Sequence, residues 1–131
     1  MGTLTILLTS GPYSSRHPEF ACRIADEALK KGHKVNMFLY MDGVLNAKKG
    51  QITKDSPNIG EALAELLKWE NFKVIACIRS TQSRGIARGE ADSSGSYPTD
   101  EYVAGAVIKS LHELGNLLKA SDKVIALTGG R

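Results

Sequence analysis

The chain has 131 residues, of which 42% are hydrophobic and 24% charged, and it carries a net charge of +3. That is the size and composition of one soluble globular domain, able to bury roughly two-thirds of its unfolded surface around a single core. No run approaches the roughly 18 apolar residues of a membrane span, and the basic residues are dispersed rather than clustered, so neither a membrane nor a nucleic acid is indicated as a partner.

Thr3 to Thr9 is a nearly continuous apolar run ended by Ser10-Gly11-Pro12, the pattern of a strand buried on both faces. With no basic segment ahead of it, this start reads as a first strand and not as a secretory signal, which makes the cytoplasm the expected compartment. His17 to Lys31 places Phe20, Ala21, Ile24, Ala25, Ala28 and Leu29 at helical spacing, and Gly32 stands where a left-handed terminator belongs. Lys34 to Tyr40 is a second strand, and Met41-Asp42-Gly43 is its turn signal.

Residues 45–56 are polar and read as loop. Ser56-Pro57 predicts a helix start with Pro57 at the first helical position, and Ile59, Leu63, Leu66 and Leu67 form that helix's apolar face. Phe72 to Ile78 is a third buried strand. Residues 84–100, rich in glycine, serine and charge, read as a mobile excursion. Thr99 or Asp100 can cap a helix running to about Lys119, with Val103, Val107, Leu111, Leu114 and Leu118 facing inward. Lys123 to Thr128 is the last strand. No linker divides the chain, so residues 1–131 are expected to form one domain.

Strands alternating with helices imply parallel strands joined by right-handed crossovers, with helices on both faces of the sheet. In such sheets reactive groups collect at the carboxyl ends of the strands. Ser10 to Ser15, Met41 to Val44 and Cys77 to Gln82 should therefore meet at one edge.

The chain has two cysteines, Cys22 and Cys77, with no Cys-x-x-Cys or zinc spacing between them. No His/Cys/Asp/Glu set has ligand spacing either, so no metal is expected. In a reducing compartment both cysteines should be thiols. Cys22 falls on the helix among Ala21, Ile24 and Ala25 and reads as core packing. Cys77 admits two readings. A cysteine in an apolar strand is usually inert. This one, however, ends its strand beside Arg79 and Arg84, with Arg88 able to fold back and Ser80 or Thr81 able to cap a short helix. Cations and a helix dipole favour the nucleophilic thiolate, and a thiolate can attack a disulfide or persulfide. Asp42 could orient a group near Cys77 or serve only the Asp-Gly turn. Tyr13 could line the pocket or pack on the first helix. His17 could donate a proton or simply occupy a helix start, and His33 and His112 read as structural.

Four segments resemble the DsrE/DsrF-like (TusD-type, DsrEFH-like) sulfur-transfer family: Ile6-Leu7-Leu8-Thr9 with Gly11-Pro12-Tyr13; Ala28-Leu29 with Lys31-Gly32-His33; Phe38-Leu39-Tyr40-Met41-Asp42-Gly43-Val44; and Cys77-Ile78-Arg79-Ser80-Thr81-Gln82-Ser83-Arg84-Gly85-Ile86. The resemblance implies a three-layer α/β/α fold with a parallel sheet of five strands. It also implies a persulfide-carrying cysteine at Cys77, association into trimers, hexamers or hetero-oligomers, and sulfur donor and acceptor proteins as partners. Arg79, Thr81 and Gln82 stand where the family has small residues.

Three functions compete. The first is a sulfurtransferase-like carrier using Cys77 with no cofactor, supported by Arg79, Ser80, Thr81, Arg84, Tyr13 and Asp42. The second is a non-catalytic oligomer subunit or binding module of the same fold. The third is a flavodoxin-like nucleotide binder, for which Ser10 to Ser15 is the only candidate loop, since Gly85 and Gly89 do not bridge a strand to a helix as a dinucleotide fingerprint requires.

Overall fold

The computed structural model describes residues 1–129. Along the chain come β1 (Thr3–Leu8), α1 (His17–Lys30), β2 (Lys34–Leu39), a 3-10 helix (Met41–Ala47), α2 (Ile59–Leu66), β3 (Phe72–Cys77), α3 (Ile78–Gln82), β4 (Val107–Lys109), α4 (His112–Ala120) and β5 (Lys123–Leu127). The strands form one five-stranded sheet in the order β4-β3-β2-β1-β5, and every pairing is parallel.

The strand order decides which helix lies on which face. From β1 to β4 the chain steps across the sheet in one direction, so right-handed crossovers put α1 and α2 on the same side. The return from β4 to β5 at the far edge puts α4 alone on the other. Side chains alternate between the two faces. Ile6, Leu8, Val35, Met37, Leu39, Val74 and Ala76 meet Ala21, Ala25 and Leu29 of α1 and Ile59, Leu63 and Leu66 of α2 in the main core. The opposite face holds a smaller cluster of Phe38, Ile75 and Cys77, against which Leu7, Tyr40, Val107, Leu114 and Leu117 pack while remaining partly exposed. This second layer is thin: no residue of α4 is buried, and Leu111, Leu118 and Val124 are 45%, 42% and 47% exposed.

The first three strands, α1 and β5 lie where their patterns place them, and Gly32 takes the expected left-handed conformation (φ 88°). Two other boundaries differ. Asn58, and not a residue ahead of Pro57, caps α2: its side chain accepts the Glu61 amide at 3.0 Å. The long helix predicted from Thr99 or Asp100 to Lys119 does not form. Gly105 is left-handed (φ 98°), which stops a helix through that point, and Val107–Lys109 pairs with β3 instead. Consequently Val107 sits on a strand, and Leu111 and Leu118 face outward. Thr99 does not cap a helix: its hydroxyl donates to the Ile86 carbonyl (2.9 Å) and accepts the Glu101 amide (3.1 Å).

The two ends of the excursion expected to be mobile are tied to the body of the domain, through the buried Ile86 and the Tyr97 amide, which donates to the Ile108 carbonyl at 2.9 Å, while residues 88–95 are exposed. The buried Tyr102 hydroxyl donates to the Val44 carbonyl at 2.7 Å, and Lys48 pairs with Glu101 at 3.1 Å. Burial pushes the Tyr102 phenol above its ordinary range. Among the described residues no helix is long and apolar enough to cross a membrane.

Candidate functional site

The carboxyl ends of β1, β2 and β3 meet, as the topology requires. Asn46 ties them locally: its amide donates to the carbonyls of Ser10 and Gly43, both at 2.9 Å. The Met41 amide donates to the Ser80 hydroxyl at 2.9 Å, which links the 3-10 helix to α3. Arg84 grips one Asp42 oxygen through two nitrogens, at 2.8 and 3.0 Å. Asp42 is therefore more than a turn residue, and Arg84 is committed to a carboxylate.

Cys77 is the last residue of β3 and the residue that precedes α3. Neither Ser80 nor Thr81 caps that helix; both lie inside it. The Thr81 hydroxyl donates back to the carbonyls of Cys77 and Ile78, at 3.0 and 2.8 Å, fixing the bend from strand to helix. The Cys77 side chain is fully buried (0% exposed), on the α4 face of the sheet, among Phe38, Ile75 and the half-covered Leu114 and Leu117. A reachable thiol among arginines is thus not what the isolated chain presents. Arg84 is held by Asp42. Arg88 reaches toward Asp100 and Glu101. Arg79 is exposed.

Tyr13 is drawn away from Cys77. It is left-handed (φ 70°); its hydroxyl donates to Gln51 and accepts the Ile59 amide at 3.1 Å, anchoring the β1–α1 loop to the start of α2. His17 shares a hydrogen bond of 3.0 Å with the buried Ser10 hydroxyl, and His33 accepts the Gly2 amide at 3.0 Å. Cys22 lies at the floor of a groove between α1 and α2. Burial, reinforced by Glu19, pushes its thiol up to about 12, which keeps it protonated and unreactive near neutrality.

Beside the Cys77 cluster is a cavity of about 320 Å³ bounded by Lys73, Ile75, Val107, Lys109, Glu113 and Leu117. Three of these belong to or pack against the cluster that holds the cysteine: Ile75, Val107 and Leu117. Reading the sequence missed this side of the site, because it ran one helix through Val107 to Lys109. The signal available was Gly105 followed by the β-branched pair Val107-Ile108.

A parallel five-stranded sheet with a cysteine closing its third strand defines a recognisable class of α/β domain. The profile of the DsrE/DsrF-like family matches residues 3–127, and the chain belongs to that family. An uncharacterized protein of Methanopyrus kandleri is 30% identical over 93% of this chain and 91% of its own. A sulfurtransferase TusD homolog of Pseudomonas aeruginosa is 26% identical over 85% of this chain and 86% of its own. The crystal structure of the E. coli protein ychN superposes with a TM-score of 0.80 at 26% identity, covering 97% of this chain and all of that one (100%).

Proposed function

We propose that this protein is a cytoplasmic component of a sulfur relay, carrying a persulfide on Cys77. The supporting observation is that a family with TusD sulfurtransferases among this chain's relatives meets, in this chain, a cysteine at the carboxyl end of β3, where parallel sheets place their chemistry. The chemistry needs no cofactor. The Cys77 thiolate attacks the terminal sulfur of a donor persulfide, forming the Cys77 persulfide and releasing the donor thiolate. An acceptor thiolate then attacks the same terminal sulfur, takes it as its own persulfide and leaves Cys77 as thiolate. One S–S bond breaks for each one formed, with no net oxidation.

Because Cys77 is covered in the isolated chain, this reading requires α4 to move aside. Its lack of any buried residue makes that inexpensive. The exposed Leu111, Leu118 and Val124, beside the edge strand β5, support association with further copies or related subunits as trimers, hexamers or hetero-oligomers.

The burial of Cys77 also favours a second reading, a non-catalytic subunit or partner-binding module of the same fold. The rate of Cys77 modification by a neutral disulfide separates the two. A carrier is labelled far faster than the domain unfolds; in a structural subunit, labelling waits for global unfolding.

A further inference from the structure

Resting on that reading of Cys77, we infer that the cation serving its sulfur is Lys109, on the α4 face of the sheet. Lys109 is the register partner of Cys77 across the parallel β3–β4 pair. Paired residues in adjacent strands lie about 4.8 Å apart and present their side chains to the same face. That face is fixed independently: Ile75 and Val107, two residues earlier on each strand, sit in the same cluster as Cys77, while Ala76 and Ile108 belong to the opposite core.

Lys109 is only partly exposed, and it lines the cavity of about 320 Å³ that runs along Lys73 and Ile75 of β3 and reaches Val107 and Leu117, which pack against the Cys77 cluster. The arginines expected near Cys77 are not so placed: Arg79 is exposed and does not line this cavity. Arg84 is neutralised by Asp42 and Arg88 faces acidic partners. The other ionisable groups around this pocket are Lys73, Glu113 and, on the neighbouring β2, Tyr40. Asp92 also feels the Lys109 charge, so Lys109 has two acidic neighbours, Asp92 and the Glu113 that shares its pocket. When α4 opens, the ammonium stands next to the sulfur. There it stabilises first the attacking thiolate and then the terminal anion of the persulfide by short-range attraction. Lys109 is thereby a positioning residue for charge, not a participant in bond exchange.

The test follows modification of the Cys77 peptide by mass spectrometry during reaction with the uncharged reagent 4,4'-dithiodipyridine at fixed neutral pH. The intact protein is compared with Lys109→Met, Lys109→Arg and Arg84→Met. Lys109→Met, which keeps the aliphatic stem, should slow labelling about tenfold. Lys109→Arg should stay close to the parent rate, as should Arg84→Met, and added salt should slow the parent but not Lys109→Met. Equal rates for the parent and Lys109→Met, or a Lys109→Arg variant as slow as the Met variant, would overturn the assignment. A separate incubation with inorganic polysulfide keeps the two claims apart: a parent protein that labels in the predicted order yet takes up no sulfur contradicts the carrier reading and leaves Lys109 as the thiol's charge partner.

Discussion

Gly43 packs so closely on Leu8 that a Cβ at Gly43 would lie 2.0 Å from the Leu8 carbonyl oxygen and 2.9 Å from its carbon. The contact is backbone on backbone, and Leu8 in turn accepts the Tyr40 amide at 3.1 Å. The Asp-Gly step after β2 is therefore a requirement of packing at the carboxyl edge: only a residue without a side chain lets the 3-10 helix cross the end of β1. Gly43→Ala must push the strand end or the 3-10 helix aside, at about 3 kcal/mol, the upper end of overpacking costs. Thermal unfolding should show a midpoint lowered by roughly 10 °C.

The cover over Cys77 should respond to two changes in opposite directions. Gly115 is an interior residue of α4 with nothing within 4 Å of where a Cβ would stand. Gly115→Ala therefore strengthens the helix by about 0.5–1 kcal/mol and should slow labelling of Cys77 by roughly two- to fivefold if the helix must unravel to open. Leu117→Ala removes part of the cover and should speed labelling by about tenfold. Parallel changes in both variants would mean that α4 does not control access.

Alkaline pH should destabilise the fold through Cys22. Its folded thiol lies at about 12, raised by burial and then by Glu19, against a reference of 9.0. Above pH 9 the unfolded chain binds fewer protons than the native one, so stability is full below that value and falls as pH rises toward 12. The slope is about 1.4 kcal/mol per pH unit at its steepest. Tyr102, also raised by burial, adds in the same direction at higher pH. Denaturant unfolding at pH 8 and pH 10.5 should show the loss, and Cys22→Ala should lose markedly less.

Tyr102→Phe leaves the Val44 carbonyl without its 2.7 Å donor. The loss should be about 1–2 kcal/mol. Because this bond ties the strap after α3 to the 3-10 helix, hydrogen exchange should quicken in both segments together.

How legible the fold was depended on the length of each pattern. β1, β2 and β3 announce themselves as apolar runs of about a strand's length, and α1 carries both a helical face and the Gly32 stop. β4 has three residues, too few for a period of two to be told from a turn of helix, and its neighbours Val103 and Leu111 happen to complete a helical spacing. Cys77 could be placed at a strand end from sequence alone. Its orientation toward α4 could not, because the face depends on which strand β4 joins. The same register brings Lys109 next to it across 32 residues of chain, a proximity with no local signature. Arg84 was near Cys77 in sequence, but Asp42, brought in by the 3-10 helix, holds it elsewhere.

The most direct measurement is the mass of the Cys77 peptide after the folded protein has been incubated with a sulfane-sulfur donor and then with an acceptor thiol. A carrier gains the mass of one sulfur atom at Cys77 and gives it up to the acceptor. A Cys77 peptide that stays unmodified, under conditions that load an established persulfide carrier in the same experiment, would contradict the proposed role.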